Sequence, residues 1–150
     1  MDNDLQTGFY FNVTIDSDSS DSAFQEVSGL SQEMGIEEVV SGGENRFKHR
    51  LPSTVRYPNL VLKRGILMAN SPLITWCRDT LSGEFSKPVQ TKTILINLLN
   101  SEGQSSMTWT IVNAYPIKWS VADLKSQESN VLIETIELAY QYFNVGDSRS

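Results

Sequence analysis

Asp16, Asp18 and Asp21 crowd one short polar stretch, DSDSSDS, and carboxylates so spaced could hold calcium. An EF-hand loop places acids at its first, third and fifth positions, glycine at the sixth and a bidentate glutamate at the twelfth. Counted from Asp16, those positions hold Asp16, Asp18, Ser20, Asp21 and Val27. The glycine and the closing glutamate are both missing, so the stretch reads as a solvated turn. A Cys–His couple is the next possibility, because a thiolate activated by an imidazole is a strong nucleophile. His49 is the only histidine and Cys77 the only cysteine. Cys77 falls on the apolar stripe of a helix, and His49 falls in a basic loop, so Cys77 reads as a small core residue. A single histidine cannot build a histidine metal cluster. Glu134 and Glu137 lie three apart and would point to opposite faces of a strand, which removes them as a paired acid and base. Gly42 and Gly43 match neither the GxxxxGK[ST] nor the GxGxxG phosphate spacing. The expectation is therefore no catalytic, cofactor-binding or metal set.

What remains is charge in an unusual place. The segment GGENRFKHRLP, Gly42 to Pro52, has neither helical nor strand periodicity and is bracketed by glycine and proline. A loop this long inside a compact domain is often functional. Arg46, Lys48 and Arg50 alternate, so an extended loop would line their charges along one side. Two readings stand: a solvated face, or a contact that seeks acidic residues, which a second copy of this acidic chain can supply. Gly42, Gly43, Glu44, Asn45, Arg46, Lys48, His49 and Arg50 are the candidate subunit-interface residues.

The elements that must carry this loop follow from composition and pattern. At 150 residues the chain reads as one domain, 1–150, with 1–7 and 146–150 as flexible ends. That length is enough to bury roughly two thirds of the unfolded surface. A net charge of −6 argues against nucleic acid as the main partner. One cysteine excludes an intrachain disulfide. No apolar core of a signal peptide is visible at MDNDLQTG, and no run approaches the roughly 20 residues of a membrane span. The reading is a protein made in the cytoplasm, with no membrane binding of its own.

Phe9, Phe11, Val13 and Ile15 alternate with polar residues, a half-buried strand. Asp16 to Ser22 reads as a hairpin turn and Ala23 to Ser28 as the returning strand, closed by Gly29. A third extended run covers Glu33 to Val40. In Tyr57 to Arg64, Leu60, Leu62 and Arg64 share one face and Asn59, Val61 and Lys63 the other. Ser71 is an N-cap and Pro72 a first helical residue. Leu73, Ile74, Cys77 and Leu81 form an apolar stripe widened by Trp76, and Gly83 can take a left-handed turn after it, giving a helix over about 71–82. Thr93 to Leu99 is dense enough for a strand covered on both faces. NSEGQ from Asn100 is hairpin chemistry, and Met107 to Tyr115 returns. Tyr115–Pro116 demands an edge, bulge or bend, and Ser120 to Asn130 is a polar connection. Val131 to Phe143 fits a strand or a helix. The total is mainly β: an antiparallel sandwich or barrel with one short α-helix. There is no internal repeat.

Several stretches occur together and in order: Val27–Ser28–Gly29–Leu30, Gly42–Gly43, Leu51–Pro52, Asn59–Leu60 with Leu62–Lys63–Arg64–Gly65, Trp76, Trp109, Asn113 to Trp119 (NAYPIKW), and Glu134 with Glu137–Leu138–Ala139. This ordered set resembles the tail-tube proteins of contractile-tailed phages and the inner-tube proteins of phage-derived contractile injection systems. One departure is Ser53, where the family often has glycine. The resemblance implies a tail-tube-like barrel in which Val131 to Phe143 is a strand. It implies copies that close into hexameric rings and stack within a contractile sheath. It further implies sheath and baseplate or tube-initiator partners, cargo or DNA in the lumen, and a place in the assembled virion tail or injection particle. In the family the loop after the third strand reaches a neighbouring subunit or ring, which corresponds to Gly42 to Pro52, and no catalytic residues carry over. The alternatives are a single-ring tube-initiator paralogue and, from another class, a monomeric β-sandwich that binds ligands through Trp109, Trp119 and Tyr115.

Overall fold

The computed structural model describes residues 9–16, 19–40, 48–65, 71–83, 88–122 and 133–147. In chain order the elements are β1 (Tyr10–Ile15), β2 (Ser19–Phe24), β3 (Glu26–Ser28), β4 (Glu33–Val40), β5 (Lys48–Arg56), β6 (Leu60–Gly65), α1 (Pro72–Leu81), β7 (Lys92–Leu99), β8 (Ser105–Val121), β9 (Ile133–Ala139) and β10 (Tyr142–Asp147). Every strand pairing among the described residues is antiparallel.

The principal sheet runs β2–β1–β7–β8–β9–β6–β3. It closes on itself because β2 and β3 are consecutive segments with Gln25 between them. The Gln25 N–H donates to the Lys63 carbonyl at 3.0 Å, so the chain leaves β1 and joins β6 in one step. This corrects two expectations. The hairpin partner of β1 begins at Ser19, inside the expected turn, and Ala23 to Ser28 is divided between two strands. A barrel needs such corners, since a single straight strand cannot serve both edges of a closing sheet. Asp16 makes the first corner with φ 51°. Its carboxylate accepts from the Thr93 N–H at 3.2 Å and meets Lys92 Nζ at 3.1 Å. Asp18 lies outside the described residues, and Asp21 stands opposite Val13 in β2.

β8 is the longest strand, and its bend shapes the barrel. Up to Val112 it lies between β7 and β10; from Tyr115 onward it pairs with β9. Asn113, at φ 56°, marks the change of direction, and its side-chain amide donates to Gln141 Oε1, beside the break between β9 and β10. The register shifts between Pro116 and Lys118, the bulge that proline required. Val131 and Leu132 lie outside the described residues; from Ile133 to Phe143 the run is strand, as the resemblance implied, but broken at Tyr140–Gln141. Glu134, Ile136 and Leu138 are buried; beyond the break Phe143 is buried and Tyr142 exposed, because a one-residue slip swaps faces.

Leu60, Leu62, Ile94, Ile96, Ile136 and Leu138 fill the barrel with no exposed surface, each adding about 1.5–3 kcal/mol by leaving water. β7 is central, with Ile94 and Ile96 buried, but only partly covered on its other face. The helix starts as its residues dictate: Ser71 Oγ accepts from the Ile74 N–H at 3.3 Å. Leu73, Ile74, Trp76 and Cys77 are buried, while Leu81, expected on the stripe, is exposed where the helix ends. Gly83 does not enter the left-handed region either; Ser82 closes the helix in a right-handed conformation, its N–H donating to the Arg78 carbonyl.

Candidate assembly interface

Lys48, His49 and Arg50 lie on β5, opposite Val40, Val39 and Glu38 of β4. Gly42, Gly43, Glu44, Asn45 and Arg46 lie outside the described residues. The expected loop from Gly42 to Pro52 is thus corrected: from Lys48 it is strand, and the strand continues to Arg56. Pro52 is accommodated because, among the described residues, β5 pairs on one side only, the place where a missing donor need cost no ladder bond.

β4 and β5 form a two-stranded sheet of their own, with no ladder to the barrel among the described residues. Six of the fifteen exposed large apolar side chains among the described residues lie on this arm: Met34, Ile36, Val39, Val40, Leu51 and Val55. Their exposure runs from 38% at Val55 to 55% at Val40, so neither face of the ribbon is covered. By alternation along β4, Met34, Ile36 and Val40 share one face, with Val55 and Pro52 opposite the first two. An isolated two-stranded ribbon is at best marginally stable in water. Charge is sorted as well: β4 carries Glu33, Glu37 and Glu38, and β5 carries Lys48, Arg50 and Arg56. The register sets Glu38 opposite Arg50 and Glu33 opposite Arg56, so these two cations already have an acidic neighbour in their own chain.

The arm joins the barrel at a narrow neck. Gly29 follows β3 with φ +95°, and a Cβ there would lie 2.1 Å from the Asn59 carbonyl oxygen. Outgoing and returning chains therefore touch backbone to backbone, which only glycine permits. Tyr140 Oη donates to the Gly29 carbonyl at 3.3 Å, and Asn59 Nδ2 donates to Glu137 Oε2 at 3.0 Å. The Tyr140 ring meets Tyr57 and Phe143 at centroid distances of 5.8 and 6.2 Å. Burial, with Tyr57 beside it, pushes the Tyr140 hydroxyl up to about 12.

A second open edge is that of β10, which among the described residues pairs with β8 alone. Open edges of this kind accept further strands. Tyr115, Ile117 and Trp119 of β8 are exposed as well. Sequence reasoning passed over the whole stretch Ser53 to Arg56. Its one available signal was that Thr and Val favour strands.

A family model described as T4-like virus tail tube protein gp19 matches residues 7–144. No curated protein sequence matches the chain. Among solved structures, the chain is 29% identical, at TM-score 0.76, to one in the cryo-EM structure of the anti-feeding prophage baseplate, 6-fold symmetrised, covering 100% of this chain and 99% of that one. A chain of the extended sheath–tube complex of PVC, an extracellular contractile injection system, is similar at 23% identity and TM-score 0.75, covering 91% and 88%. Hcp1 from Salmonella typhimurium shares the fold at 15% identity and TM-score 0.52, covering 95% and 97%.

Proposed function

The chain belongs to the T4-like virus tail tube protein family, and from that premise we propose that it is a structural, non-enzymatic subunit of the inner tube of a contractile tail or injection particle. Six copies close into a ring, and rings stack around a channel that conducts cargo or DNA. The whole chain acts as one domain. It is made in the cytoplasm and works in the assembled particle, against sheath and baseplate proteins. The observation that carries this reading is the family match, which spans the barrel from β1 into β10. The bare arm supports it, since a ribbon with two uncovered faces gains stability only by docking on a neighbour. Head-to-tail contacts of that kind close into rings when the rotation allows.

A second reading is favoured by one comparison. The 29% identical structure is part of a baseplate, which supports a single ring that starts the tube. Electron microscopy and sedimentation of concentrated protein separate the two: stacked tubes of open length mark the repeating subunit, and rings that do not stack mark the initiator. Material that stays monomeric, alone and with a sheath or baseplate partner, overturns both. Charge reversal of Arg46, Lys48 and Arg50 to Glu is expected to reduce assembly; unaltered tubes would remove these cations from the contact.

A further inference from the structure

Arg64, Trp119 and Glu134 belong to three separate stretches of the sequence, and the fold brings them to one point in the barrel. Arg64 Nε donates to Glu134 Oε1 at 2.8 Å, and the Trp119 indole N–H donates to Glu134 Oε2 at 2.7 Å. Arg64 Nη2 donates to Ser71 Oγ at 2.9 Å, on the oxygen that caps α1. The guanidinium carbon stands 4.5 Å from the centre of the Phe24 ring. Glu134 is wholly buried and Arg64 nearly so. One ionic centre thus joins β2, β6, α1, β8 and β9.

Such a centre is a poor source of net stability. Both charges must leave water, and that cost offsets most of their attraction; apolar residues of similar volume often replace a buried pair without loss. The helix end makes the placement less favourable still, because its partial positive charge repels a guanidinium. What apolar packing cannot supply is direction. Two oxygens of Glu134 and two nitrogens of Arg64 each fix one partner at a set angle, and charge-assisted bonds of this type are short and orienting.

We infer that Arg64 and Glu134 are positioning residues that set where the N-terminus of α1 sits on the barrel and hold the Trp119 indole in one orientation at the surface. Trp119 is 37% exposed and lies on the same strand as exposed Tyr115 and Ile117. The pair therefore gives the exposed part of the Trp119 ring one orientation for a neighbouring copy to meet, a consequence that rests on the tube-subunit reading.

The test compares the wild type with Arg64→Met, Glu134→Leu and the double variant. Each single change leaves one buried charge without its partner and lowers the denaturation midpoint. The double variant recovers the wild-type midpoint. Its first-turn helix amides, in hydrogen exchange of the dissociated subunit, exchange on the order of tenfold faster, and its yield of rings or tubes falls. Wild-type helix protection in the double variant overturns the inference, and so does a double variant as unstable as the singles or unable to fold. Helix exchange is read without assembly. A wild type that never assembles therefore sinks the tube reading alone and leaves this result standing.

Discussion

The barrel and the arm are built from the same kind of antiparallel strand, yet they solve opposite problems. In β6 and β9 every second side chain is buried, Leu60 beside Leu138 and Leu62 beside Ile136 on the inner face of two paired strands. In β4 no residue is fully buried, and Ile36 is 53% exposed. The barrel strands bury their apolar face in a shared core, whereas the arm keeps its apolar surface bare. Burial on folding is concentrated in the barrel and exposed apolar surface in the arm, with Gly29 and Asn59 at the boundary.

The sharpest way to break that division is at the boundary itself. Gly29→Ala places a Cβ 2.1 Å from the Asn59 carbonyl and forces an unfavourable φ, so it is expected to cost about 4 kcal/mol or more. A variant that keeps a wild-type denaturation midpoint would mean that the neck is not a fixed joint. The matched pair Ile96→Ala and Ile36→Ala comes next. The first should cost about 2–5 kcal/mol through its cavity. The second should leave the isolated subunit within about 0.5 kcal/mol, yet lower the yield of rings or tubes. Equal losses in urea denaturation would erase the distinction between the two regions. The smallest effect is protonic. Because the Tyr140 hydroxyl ionises near 12 in the folded chain against 10.0 ordinarily, its contribution is full below pH 10 and is lost as pH rises towards 12. Tyr140→Phe should flatten that alkaline decline in a denaturation midpoint measured against pH; an unchanged slope would assign the decline to other groups.

Legibility in the sequence follows the same boundary. Wherever a core sorts side chains, the pattern survives in the residues: Phe11, Val13 and Ile15 announced β1, and the shared face of Leu60, Leu62 and Arg64 announced β6. Ser71 and Pro72 announced the helix, and Pro116 announced its bulge. KHRLPSTVR did not announce β5, because a ribbon with water on both sides has nothing to enforce alternation. The strand at Glu33 to Val40 was legible from composition, and its partner was not. Gln25, where the chain changes neighbours, has no local signature, since that corner is set by the distant Lys63 carbonyl. Glu134 is a carboxylate on a buried strand face, and the cation that pairs with it stands 70 positions earlier in the chain.

The neck also has a mechanical consequence. Both stems of the arm emerge side by side, one at the end of β3 and the other at the start of β6, and these strands are ladder neighbours. A tug along the strands through the arm draws both the same way, so it does not peel them apart. It meets the β6–β9 ladder in shear, loading the six pairs from Leu60–Leu138 to Gly65–Ile133 together instead of unzipping them in turn. A barrel rooted in this manner takes a pull on its arm along its strands and not across them.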